Sequence, residues 1–202
     1  VGPLHGVPFT VKDNIGTEGM ICACGTDGLR SNIPVEDAIV VSRLKMAGGI
    51  LIGKTNVPEL GMGYETDNLV YGRTNNPYDL TRTSGGSSGG EASIVASGGS
   101  PVGICTDGGG SARWPAHCCG LAGFKPTTGR TPKSGHVPPP GGMLNSLWQI
   151  SVMARYVEDI TLCLNLICGH DDQDPTTELM PLDFDQEVSV SQMRIAYFMN
   201  ND

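Results

Sequence analysis

Charge and aromatic side chains are scarce in this chain of 202 residues: 17% of the residues are charged and 5% are aromatic. So little charge excludes a charge-laced coiled coil and a disordered polyelectrolyte. With so few rings, any core must rest on aliphatic and small side chains. No run of 18 apolar residues exists, so no segment reads as a membrane-spanning helix. A basic stripe is also missing. Seven acids and no Lys or Arg lie between Asp171 and Glu187, and they carry most of the net charge of −8. Outside that stretch 13 basic residues face 14 acidic ones, which leaves nothing to neutralise a nucleic-acid backbone. Residues 171–187 are expected to form a solvated acidic loop. The seven cysteines lack the C-x2-C spacing of tetrahedral zinc sites, since they include Cys22-Ala-Cys24 and Cys118-Cys119. With no secretory leader visible, reduced thiols in a cytoplasmic protein are expected. The chain opens on Val1 and not Met, so further sequence upstream is expected.

What is abundant is glycine, at 29 residues, about twice the ordinary ~7% share. Strand and helix signals alternate. A short strand is predicted over Val7 to Lys12, a helix over Asp37 to Ala47, and a buried strand over Ile50 to Ile52. A second helix is predicted over Glu91 to Ser97, followed by strands at Val102 to Thr106 and Leu121 to Lys125. The clearest late helix is Tyr156 to Cys168, where Val157, Ile160, Leu164 and Ile167 align on one face. A last strand is expected over Met193 to Met199. This rhythm argues for an α/β layered fold in one domain.

Two Gly/Ser segments carry the chemistry: Ser84-Gly-Gly-Ser-Ser-Gly-Gly-Glu91 and Thr106-Asp-Gly-Gly-Gly-Ser-Ala-Arg113. Both sit where a helix is about to begin, and the unpaired N–H groups there suit an anion. A flexible linker fits poorly between packed elements. A phosphate loop fits poorly too, because Glu91 stands where Lys is needed. Gly85-Gly-Ser87-Ser-Gly89 and Gly86-Ser-Ser88-Gly-Gly90 both match the G-x-S-x-G elbow of serine hydrolases. That reading would enlist Asp107 and one of His117, His136 or His170, although lone histidines are more often structural.

Lys12 in Val-Lys-Asp-Asn14, the Gly85 to Glu91 run, and the segment Thr106 to Ala116 together resemble the amidase signature family. The likeness extends to Gly2-Pro-Leu-His-Gly-Val-Pro8, Gly53-Lys-Thr-Asn-Val-Pro-Glu59, Tyr71 to Pro77 and Gly120 to Thr127, so it spans most of residues 2–170. The resemblance implies a mixed β-sheet flanked by helices, with residues 1–202 forming part of one amidase signature domain. It also implies a Ser-Ser-Lys triad: Ser111 the nucleophile, Ser87 the bridging serine, Lys12 the base, with a non-proline cis peptide between Gly86 and Ser87. A serine hydroxyl needs a neighbour to take its proton, and lysine can do so only when neutral, which burial favours.

By the same resemblance the amides of Gly108, Gly109 and Gly110 form the oxyanion site. Trp114, three residues past Ser111, is expected to line the acyl pocket. Ser88, Asp107 and Arg113 support the loop. Two positions depart from the family pattern: Gly108 replaces a Thr or aliphatic residue, and Cys105 replaces a Gly. The implied activity is hydrolysis of a small-molecule amide to acid plus amine, without metal or organic cofactor, and the implied assembly leaves room for a homodimer. Two alternatives stay open. One is the glutaminase subunit of a tRNA-dependent amidotransferase, in which Gln is typical where Trp114 stands; the other is a non-catalytic fragment of an amidase.

Overall fold

In the computed structural model, residues 1–178, 189, 191 and 193–195 are described. Five strands form one mixed sheet: β1 (Pro8–Lys12), β2 (Ile50–Thr55), β3 (Val102–Asp107), β4 (Ala122–Phe124) and β5 (Gln149–Ala154). Their spatial order is β2-β1-β3-β5-β4. β1 runs parallel to both β2 and β3, whereas β5 is antiparallel to β3 and β4. Among the described residues four helices cover the sheet: α1 (Ile39–Met46), α2 (Gly89–Ala96), α3 (Arg113–Cys119) and α4 (Val157–Ile167).

The period-2 alternation of strand side chains divides the core into two layers. On one face Phe9, Val11, Ile104, Ile150 and Val152 pack against Val40, Val41 and Leu44 of α1 and Ile160, Leu164 and Ile167 of α4. On the other face Cys105 and Met153 meet Ala92 of α2 and Ala116 and Cys119 of α3. That second layer is built from small residues, so backbones approach closely. A methyl group on Gly123 would come within 2.7 Å of Ala116 Cβ. The scarcity of aromatics thus shows as tight helix-on-sheet packing, with Phe9 the only aromatic side chain in either cluster among the described residues.

The expected elements recur with shifts of one to three residues at most of their ends, and three expectations are corrected. Ile50 and Ile52 are about half exposed, because β2 is an outer strand of the described sheet and not a buried one. β5 is absent from the expected elements, and it lies between β3 and β4. The acidic segment is not simply solvated: Asp171 and Asp174 are buried, and Asp174 Oδ2 accepts the Lys133 backbone N–H at 2.9 Å. The rest of that segment, 179–187, and most of the strand expected over Met193 to Met199 lie outside the described residues. All seven cysteines are free thiols. No helix among the described residues is long and apolar enough to cross a membrane.

Candidate active site

The parallel strands β1 and β3 end side by side, and their last residues bring the key side chains together. Lys12, the final residue of β1, is completely buried. Its Nζ lies 2.6 Å from Ser87 Oγ and 2.8 Å from Thr106 Oγ1. Burial pushes its pKa down from 10.5 to about 8, against the opposing pull of nearby Cys105, Cys24, Asp107 and Glu91. A neutral amine in this position has one lone pair. Thr106 Oγ1 already accepts N–H bonds from both Lys12 and Asn14 Nδ2, the latter at 3.0 Å. Lys12 Nζ also donates to Ser87 Oγ, and in the neutral amine the lone pair is free to accept the Ser87 hydroxyl proton in place of that bond.

Ser87 enters this contact from the turn that precedes α2, where the Gly86–Ser87 peptide is cis. Glycine is required at 86, because a Cβ there would sit 2.6 to 2.7 Å from the backbone of residues 63 to 65. Ser88 ties the two Gly/Ser segments together: its N–H bonds Ser111 O at 3.2 Å and its hydroxyl bonds Thr106 O at 3.3 Å. Glu91, in the first turn of α2, is fully buried and accepts Thr10 Oγ1 at 2.6 Å and Thr55 Oγ1 at 2.7 Å. It thus clasps α2 to β1 and to the end of β2. Burial raises its carboxyl to about 7 despite those two hydrogen bonds.

Asp107 organises the loop that carries Ser111. Its Oδ1 accepts Gly110 N–H at 2.7 Å and Arg113 Nη2 at 2.9 Å, and its Oδ2 accepts Ala112 N–H at 3.0 Å and Arg113 Nε at 2.9 Å. Burial alone would raise this carboxyl, but Arg113 and the loop amides outweigh it and hold it at about 2. Gly110 therefore does not offer its amide to a ligand. Gly108, Gly109 and Ser111 remain, and all three line a cavity of about 410 Å³ together with Gly61, Met62, Gly63, Tyr64, Leu144, Leu147 and Trp148. Tyr64 Oη donates to Gly109 O at 3.2 Å.

Trp114 is not in the wall of that cavity. Its indole N–H bonds Tyr64 O at 3.0 Å and its ring stacks on His117 at 5.7 Å. The indole that shares the cavity with Ser111 belongs to Trp148, immediately before β5. Sequence reasoning misses this residue, because it lies 37 positions beyond the serine. It also undervalues His136. That ring is buried, and its Nδ1 lies 2.7 Å from Pro138 O, so Nδ1 carries the proton and Nε2 accepts Asn14 Nδ2 at 3.1 Å. Burial lowers its pKa to about 4, keeping it neutral. No described histidine bonds Ser87, Ser88 or Ser111, and Asp107 pairs with Arg113, so the serine-hydrolase elbow finds no geometric support. Among the described residues no cluster of His, Cys, Asp or Glu has the grouping of a metal site.

Comparison with known proteins identifies the family and the fold. The family described as Amidase matches residues 1–202. The chain is 46% identical over 176 residues to a glutamyl-tRNA(Gln) amidotransferase subunit of Methanococcoides burtonii, a match covering 87% of this chain and 36% of that protein. Among solved structures, a glutamyl-tRNA(Gln) amidotransferase subunit from Thermotoga maritima superimposes with a TM-score of 0.86 at 39% identity, over 91% of this chain and 40% of that one. Native peptide amidase from Stenotrophomonas maltophilia gives a TM-score of 0.83 at 37% identity, over 89% of this chain and 37% of that one. The chain thus spans less than half the length of each of these relatives.

Proposed function

The chain belongs to the amidase family, and from that premise we propose that it hydrolyses carboxylic acid amides through an acyl-enzyme on Ser111. The observation that carries this reading is the buried 2.6 Å contact between Lys12 Nζ and Ser87 Oγ beside the loop of Ser111. Ser111 Oγ attacks the amide carbon while its proton passes to Ser87, whose own proton passes to Lys12. The oxyanion that forms is met by the amides of Gly108, Gly109 and Ser111. The C–N bond then breaks, the departing nitrogen takes the proton of Ser87, and Ser87 is reprotonated by Lys12. Water releases the acyl group by the same relay, giving acid and free Ser111.

A second reading is favoured by the names of the relatives: the glutaminase subunit of a tRNA-dependent amidotransferase. Ammonia release from glutamine and from a simple aliphatic amide, measured side by side, separates the two. Hydrolysis confined to glutamine favours the second reading. The test of the shared chemistry is a fluorophosphonate probe with peptide mapping. The adduct is expected on Ser111, absent in Ser111→Ala and strongly reduced in Lys12→Met. An adduct on Ser87, or none at all, would overturn the proposal, the latter in favour of a non-catalytic fragment.

A further inference from the structure

The space a side chain at position 108 would take is filled by Trp148. A Cβ on Gly108 would lie 1.5 Å from Trp148 Cδ1 and 1.8 Å from its Nε1, so the edge of the indole rests directly on the backbone of the loop before Ser111. His136 packs against the ring from behind, with centroids 4.9 Å apart, and is itself fixed by Asn14 and Pro138. Trp148 Nε1 donates to no protein acceptor among the described residues, unlike Trp114 Nε1, which bonds Tyr64 O. The rest of the cavity wall is apolar: Met62, Tyr64, Leu144 and Leu147 are 66%, 64%, 41% and 51% exposed, and all of them gather around Ser111.

We propose that Trp148, seated on Gly108, is the specificity-determining residue of the acyl cavity and selects amides whose acyl group is a flat aryl ring. The reading rests on the amide-hydrolase assignment and supplies its substrate class. An aryl acyl group stacks on the indole face and contacts Leu144, Leu147 and Met62, while its carbonyl carbon stays at Ser111. Glycine at 108 is what lets the indole approach; any larger residue there would expel it.

Two measurements test this, one independent of turnover. Kinetically, Trp148→Ala should lower kcat/KM for benzamide about 10- to 200-fold and that for acetamide less than about threefold, with Trp148→Phe between the parent and the alanine variant. For binding, benzamide titrated into Ser111→Ala should quench indole fluorescence saturably, and the quench should vanish in Ser111→Ala/Trp148→Phe, where Trp114 is the remaining indole. An unchanged benzamide-to-acetamide ratio, or a quench that survives loss of Trp148, overturns the proposal. A parent chain that quenches with benzamide but hydrolyses no amide would count against the amide-hydrolase reading alone and leave the acyl cavity supported.

Discussion

Lys12 Nζ and Thr106 Oγ1 lie 2.8 Å apart in a fully buried pair, and the same hydroxyl oxygen is held from its other side by Asn14 Nδ2 at 3.0 Å. Thr106 therefore fixes the amine without competing for its lone pair. Thr106→Val keeps the shape and removes the acceptor. It should lower kcat about 10- to 100-fold, the range expected from losing one buried hydrogen bond to a lysine, with KM little changed. It should also displace the alkaline inflection of the rate profile, whereas a purely structural role would leave that inflection in place.

The depressed pKa of Lys12 fixes both the pH dependence of rate and that of stability. The proposed relay uses the neutral amine, so kcat/KM should rise with pH and level off above about 8. For stability, the unfolded chain binds more protons at this site than the folded one between about 8 and 10.5, so the parent gains stability as pH rises through that window. Below it, the buried ammonium costs about 3 kcal/mol. Urea unfolding of Lys12→Met at neutral pH should therefore show a gain offset only by the lost bonds to Ser87 and Thr106, and that gain should shrink toward pH 10.5.

Glu91 has the opposite sense. Its folded pKa of about 7 exceeds the ordinary 4.5, so the folded chain holds the extra proton between those values and loses stability as pH rises through them. Glutamine keeps partners for Thr10 and Thr55 and carries no charge. The stability difference between Glu91→Gln and the parent should move toward the variant by about 3 kcal/mol from pH 4.5 to above pH 7. Unfolding free energies of both proteins across that range decide the point.

Gly108 and Trp148 should behave as one unit in a double-mutant cycle. Gly108→Ala drives a methyl group into the indole and should cost about 1–3 kcal/mol in the parent. In a Trp148→Ala background the same methyl group finds open space and should cost well under 1 kcal/mol. Equal costs in both backgrounds would separate the two residues.

The contacts explain what could be read from the chain and what could not. The contact of Lys12 with Ser87 is legible through the family resemblance of the motifs that carry them. The helices α1 and α4 are legible because their apolar residues recur at helical spacing. β5 is hidden: every one of its residues is buried, including Gln149 and Ser151, so no alternation marks it. With β5 goes Trp148, which reaches the cavity only through the antiparallel return of the chain beside β3. Trp114 draws attention by its sequence distance from Ser111, yet the turn of α3 carries its indole to Tyr64. The amide of Gly110 looks free because no motif records that Asp107, three residues earlier, accepts it.

Thr106 and Asp107 are neighbours on β3, opposite Ile150 and Gln149 of β5, and they serve different masters: one steadies the amine, the other the loop. Successive strand residues face opposite ways. A single-codon deletion between Val102 and Cys105 would slide Asp107 into the register of Thr106 and Thr106 into that of Cys105, turning each to the opposite face. Point substitutions along this strand can be graded in their effects, but frame-preserving indels cannot. In a saturation library scored for function, β3 should emerge as a segment where conservative replacements at Val102 or Ile104 survive and every one-residue insertion or deletion is lost.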